Sequence, residues 1–367
     1  MTATPTIPPA LAALVTQRGM PTMRQEGWRF TNPAPLVATG FAANARPTLT
    51  ITGAPAESGQ VVESEAVARL EADSLFAAAN RVMADAPRHI VVTRSSVQPI
   101  TITHAHDTAV AYPRILIEVA PGVRVRFVEQ FSGLGSYYSM LSLVVGAGAD
   151  VEYVRVHSEG NAAVHAGAIA VQVGAGARSA LHQFALGGKL LRTDLHAVLN
   201  GEHTEASFNS LMLADADRVV DVHSTLEHRA PDCHSRQLYK ALLTDRGRAV
   251  FRGRIHVHSQ AQKTDAVQAS RSLLLSDDAI INTNPELEIY ADDVKCTHGA
   301  TIGTLDDASL FYLRSRGIPA VEARRMLVAA FAAELLDAIS DPDLRVQVEA
   351  LVSARIAEVV ARAQAVI

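Results

Sequence analysis

Cysteine is nearly missing from this chain: two thiols, Cys233 and Cys296, in 367 residues. Two cysteines cannot build a disulfide framework, so both are expected to be free thiols in a reducing compartment, the cytoplasm. No basic arm and no acidic tail breaks up the charge, which sums to −5 with a pI near 6.3. A nucleic-acid binder that works through phosphate contacts needs clustered Lys and Arg, and that class is excluded. No apolar run reaches the roughly 18 uncharged residues of a membrane span. The opening stretch "MTATPTIPPALAALVTQRGM" has no positive residue ahead of its apolar part and is interrupted by Pro8 and Pro9, so it does not read as a signal peptide. Catalytic signatures are missing as well. There is no GxSxG nucleophile elbow, no GxxxxGK[ST] phosphate loop and no CxxC pair.

What is present changes period twice. Residues 1–86 read as irregular and then helical. "ESEAVARLEADSLFAAANRVMADA" spaces Val67, Leu70, Ser74, Leu75 and Ala78 along one face, and its alanine content favours one helix or two. From residue 87 to 303 the chain is a succession of short β-branched runs with glycine at the corners. Gly122, Gly148, Gly176 and Gly201 each open a strand-like run, and each of those runs is followed by a second one. The glycines stand 26, 28 and 25 residues apart. A two-strand unit repeated at near-constant spacing is the signature of a solenoid whose coils stack on one another. The expected fold is a mainly β protein, a parallel β-helix. A β-sandwich or jelly roll is the competing reading, but Asn-Gly and Asp-Gly hairpin turns are few. Residues 304–367 turn helical again, with starts signalled by Asp306/Asp307, Pro319 and Pro342. These helices are expected to cap the end of the solenoid. Their stripe of Leu327, Phe331, Leu335 and Leu336 leaves two readings open, bundle packing or a face for a partner.

The stretch "ADDVKCTHGATIG" (291–303) carries the most chemistry. On a strand, residues two apart share a face, so Cys296 and His298 would point the same way. A thiolate beside an imidazole suits zinc or an iron–sulfur species. Two donors fall short of the four that a closed site needs, so the pair is either structural or completed from another chain. "HAH" (104–106) and "HVH" (256–258) also put two imidazoles on one face and raise a cupin-type metal site. Neither is followed by the glutamate such a site would want. Glu286, Glu288, Asp292 and Asp293 could serve a carbohydrate-cleaving solenoid as acid and base, or form a solvated strand face. Cys233 lies beside His234, and neighbours on a strand face opposite ways, which makes Cys233 a core or corner thiol.

Residues 251–318, "FRGRIHVHSQAQKTDAVQASRSLLLSDDAIINTNPELEIYADDVKCTHGATIGTLDDASLFYLRSRGI", closely resemble the SufB/SufD family of iron–sulfur cluster assembly proteins. Weaker likeness runs through "VVDVHSTLEHRAP" (219–231) and "YPRILIEVAPG" (112–122) to "EGWRFT" (26–31). Within the family "DDVKCTHGATIG" and "FYLRSRGI" are closer to SufD than to SufB. The resemblance implies a right-handed parallel β-helix with helical regions at both ends, and a non-enzymatic scaffold. It implies pairing with SufB through the β-helix and binding of the ATPase SufC by the C-terminal helices. A homodimer is expected to be possible in isolation. Cys296 and His298 would then be ligands at the interface, holding a transient iron–sulfur cluster shared with SufB and not kept by the isolated chain. His298 is the favoured ligand, and Cys233 is not assigned the sulfur-acceptor role. Flavin binding has no fingerprint in the chain.

Overall fold

The computed structural model describes residues 9–39, 48–53 and 64–364. Residues 1–8 of the opening stretch, and Glu63 at the head of the expected helix, lie outside them. The core is a parallel β-solenoid of about eight turns flanked by helices. Each turn contributes one strand to each of two sheets. Sheet one stacks Ile100–Ala105, Arg124–Ser132, Asp150–His157, Arg178–Ala185, Glu205–Ala214, His234–Leu243, Asp265–Leu274 and Lys295–Gly303 in parallel. Sheet two runs from Arg88–Val92 to Ile280–Ile289 by the same rule. Parallel strands of this kind need cover on both faces, and most inner strands are buried at nearly every position.

Register is fixed at the entry to sheet one. The first residues of successive strands pair Arg124, Asp150, Arg178, Glu205, His234, Asp265 and Lys295 in one column. Opposite charges on adjacent strands stabilise this alignment and oppose a slip. Arg124 Nε stands 3.1 Å from Asp150.

The glycine repeat is only partly a positive-φ column. Gly122, Gly148 and Gly176 have φ of 71°, 66° and 63°. In the next turns the left-handed position falls on His203, Asp232 and Lys263. The backbone ladder confirms the register, since Gly176 N–H donates to Glu202 O, His203 to Pro231 O and Asp232 to Gln262 O. Gly201 is needed for a different reason: a Cβ there would lie 2.2 Å from the Ala175 nitrogen of the turn below.

Two expectations are corrected. Thr48–Thr52, within the segment read as irregular, is a strand that pairs antiparallel with Ile100–Ala105 at the start of sheet one. The C-terminal helices do not cap the solenoid's end. Ala320–Asp337 and Pro342–Gln364 lie along the outer face of sheet one, packing Val328, Leu335, Leu336, Val352 and Ile356 on Val154, Phe184, Leu211 and Leu242. The reason is that sheet one turns an apolar row outward, which would otherwise face water. In the N-terminal region, Ser74 breaks the expected helix in two and accepts from the Ala77 N–H to cap the second half, Leu75–Met83. Both halves pack on the outer face of sheet two. With helices on both flanks, the last turn of the solenoid is left open.

Candidate functional site: the open end of the solenoid

The last turn is formed by Ile280–Ile289 and Lys295–Gly303. Among the described residues, no strand pairs with the outer edge of either. Cys296 continues a column that runs inward through Val125, Val151, Ser179, Ala206, Ser235 and Ala266. His298 continues the next inward column, through Phe127, Tyr153, Leu181, Phe208, Gln237 and Gln268. The sequence expectation that both face the same way therefore holds, and that face is the solenoid lumen. Deeper members of these columns are buried; in the last turn Cys296 is half-buried and His298 exposed, because no strand among the described residues lies above them. Cys296 packs with Ala266, Leu287 and Val294.

The lumen beneath His298 is polar. Gln237 and Gln268 are buried, and both polar side-chain atoms of Gln268 lack a partner among the described residues. Gln268 reaches across to sheet two over Gly253, where a Cβ would meet its Nε2 at 2.4 Å. A buried amide left unpaired costs about 1–3 kcal/mol. Sequence reading missed both glutamines. The signal was their register with His298, which becomes visible only after turns of 31 and 30 residues are aligned.

Burial pushes the Cys296 thiol above its ordinary range, and the negative charge of Asp265 adds to this, against a backbone hydrogen bond from Ala266. In the isolated chain Cys296 is therefore a protonated thiol.

The other candidates are dispersed. His104 is inside, with Nε2 donating to Glu129 at 2.9 Å, while His106 is held by the carbonyls of Thr108 and Ser136. His256 and His258 do touch, with ring centroids 4.3 Å apart, but each is held by its own carboxylate, Glu288 at 2.9 Å and Glu227 at 3.0 Å. Glu286 and Glu288 are paired with Arg252, Arg254 and His256 on the outer face of sheet two, and Asp292 and Asp293 are exposed in the corner that follows. Cys233 is a core thiol, accepting from Thr204 Oγ1 at 3.0 Å, and its neighbour His234 faces outward near Asp265. The "EGWRFT" stretch is docked on sheet two, where Arg192 donates to Gly27 O at 2.8 Å and stacks on Trp28.

The last turn and the helix that follows it expose apolar side chains. Ile280, Ile289, Tyr290, Ile302, Phe311 and Tyr312 are all exposed there. Phe311 and Tyr312 belong to helix Asp307–Ser315, which buries none of its residues. Of the two readings left open for the C-terminal stripe, Leu335 and Leu336 follow the packing one, buried on sheet one.

Residues 101–331 match the family model for the SUF system FeS cluster assembly, SufBD core domain. The chain belongs to the SufBD family. It is 36% identical to the iron-sulfur cluster assembly protein SufD of Escherichia coli over 286 residues, 75% of this chain and 68% of that protein. It is 35% identical over 255 residues to an iron-sulfur cluster assembly SufBD family protein of Synechocystis, covering 66% of this chain and 56% of that one. Protein ABCI7, chloroplastic, of Arabidopsis thaliana is 34% identical over 244 residues and is matched over 51% of its length. The chain thus spans from about half to two thirds of these relatives. The match to the SufBD core takes in every solenoid turn from Ile100 onward, and with it both Cys296 and His298. No helix among the described residues is long and apolar enough to cross a membrane.

Proposed function

We propose that this chain is a SufD-like scaffold subunit that contributes half of a cluster-assembly site. The observation that carries the reading is the open last turn, where two lumen-facing donors, Cys296 and His298, emerge at an unpaired edge ringed by exposed apolar side chains. A half-buried thiol and an exposed imidazole make an incomplete ligand set. The edge and the apolar ring are the features of a surface that another solenoid covers. The partner is a SufB-type chain, which supplies the remaining donors, and the iron–sulfur cluster is cargo held between the two. Helix Asp307–Ser315, with Phe311 and Tyr312 exposed, supports docking of a SufC-type ATPase beside the same end. ATP chemistry belongs to that partner, and the chain itself acts as scaffold and ligand donor.

The test is co-expression with SufB and SufC, purification by a tag on this chain alone, and anaerobic reconstitution with iron and sulfide. Both partners should co-elute, and cluster absorption in the visible should fall at least several-fold in His298→Ala, and further with Cys296→Ala added. Unchanged cluster formation in the double variant would sink the ligand assignment. A chain that elutes alone, or as a dimer of itself holding a cluster, would remove the heteromeric reading.

A further inference from the structure

Far from the open end, one corner of the solenoid gathers three metal-binding side chains within nine residues, "HSEGNAAVH". His157 ends the strand Asp150–His157, Glu159 lies in the corner, and His165 is the second residue of Val164–Val173. Their relative exposures are 0%, 4% and 2%. Two imidazole nitrogens converge on one carboxylate oxygen: His157 Nδ1 stands 3.2 Å and His165 Nδ1 2.6 Å from Glu159 Oε1. One donor atom from each residue lies within 4.8 Å of the other two. The rings are fixed by packing, His157 stacked on Phe131 at 5.1 Å and His165 edge-on to the same ring at 4.7 Å.

The charge balance is what sets this cluster apart. A buried carboxylate is ordinarily paired with a cation or bound to a metal. The ion-pair partners of Glu159 among the described residues are the two histidines alone. Arg155, the nearby guanidinium, is directed at Glu129, 3.1 Å from its Nε, and its Nη2 donates to Ser139 at 2.7 Å, while its Nη1 has no hydrogen-bond partner among the described residues. A divalent cation would supply the missing positive charge. Two imidazoles and a carboxylate suit Zn(II) or Fe(II) among first-row ions. Ligands about 2.0–2.1 Å from a tetrahedral centre sit roughly 3.3 Å from one another, so the present spacing needs only small movements. The outer shell is in place for His165, whose Nε2 lies 2.7 Å from Ser139 Oγ and can donate to it once Nδ1 is a ligand. Ser158 and Asn161 are exposed on the same corner.

We propose that His157, Glu159 and His165 bind one divalent first-row transition-metal ion. The site is independent of the pair at the open end. Counting from the strand that ends in His157 to the one that carries His298, five strand spacings intervene, roughly 24 Å at about 4.8 Å each. The inference does not rest on the cluster-assembly reading, because it concerns the isolated chain.

The purified full chain is stripped of metal and loaded with Zn(II), or with Co(II) as a coloured probe, then dialysed. It should retain one equivalent by elemental analysis, and Co(II) should give the visible absorption of a low-symmetry site. Glu159→Gln and His165→Gln should each lose that equivalent, while the Cys296→Ala/His298→Ala chain should keep it. X-ray absorption of the zinc-loaded native chain provides a readout that needs no variant: imidazole scattering without a sulfur shell near 2.3 Å is expected. Failure of the native chain to retain an ion, or a sulfur shell in its spectrum, overturns the proposal. So does retention of the full equivalent in either triad variant.

Discussion

His228 shows how one residue ties the solenoid's stability to pH. It is fully buried, its Nε2 bonded to Ser235 Oγ at 3.0 Å and its Nδ1 without a partner among the described residues. Burial, and to a smaller degree repulsion from His234, lowers its pKa from 6.5 to about 4. A base whose folded pKa is depressed takes up protons more readily in the unfolded chain. Its contribution to stability is therefore intact above about pH 6.5 and is lost as pH falls from there to about 4. The loss amounts to about 3 kcal/mol at the acid end. His228→Gln, which keeps a hydrogen-bonding side chain, should flatten that part of the profile. Denaturant midpoints of both proteins between pH 7 and 4 check this, and parallel curves would show that His228 carries no such linkage. Cys296 illustrates the other side of burial at residue scale. That it shares a face with His298 was legible from the i, i+2 rule, but its raised pKa was not, because that comes first from burial in the folded chain and then from the charge of Asp265, on a strand 30 residues earlier.

At the scale of elements, the helix boundaries followed from local chemistry. Asp306 accepts from the Ser309 N–H at 2.8 Å to start Asp307–Ser315, and Pro319 and Pro342 stand at the starts of the two long helices. Where those helices go was not legible. Their apolar stripe matches a row on the outside of sheet one, and an outward apolar row in a strand reads the same as an inward one when both faces are covered. Leu335 sits at the centre of this contact, 1% exposed. Leu335→Ala should cost about 2–5 kcal/mol by leaving a cavity between helix and sheet. The corresponding drop in thermal midpoint, measured by circular dichroism, tests whether the helices are integral to the solenoid. No change would mean that they dock loosely.

For the whole molecule, the consequence of flank-bound helices is a solenoid with one unprotected end. In a stacked fold each turn is held by its neighbours, so the last turn is held from one side only. Hydrogen exchange on the isolated chain should show amides of Lys295–Gly303 and Ile280–Ile289 exchanging faster than those of Val164–Val173, which lie between two paired strands. Equal protection would mean that the end is covered in solution by a second copy. Pro285, which has no N–H to offer, and the charges Asp292 and Asp293 beside the edge blunt it against indiscriminate pairing.

The sequence by itself determined the class of fold, since near-constant turn length and β-branched runs leave stacking as the way to bury both faces. It also determined that Cys296 and His298 share a face, because that follows from strand geometry within three residues. Tertiary structure alone decided that this face is a lumen ending in open space, because the helices that were expected to close it are drawn to the apolar flank. It also brought Gln268 beneath His298, and placed Phe131 and Arg155 around His157, Glu159 and His165. Those contacts join residues one or more turns apart, and the exact turn length, which varies from corner to corner, decides which side chains meet.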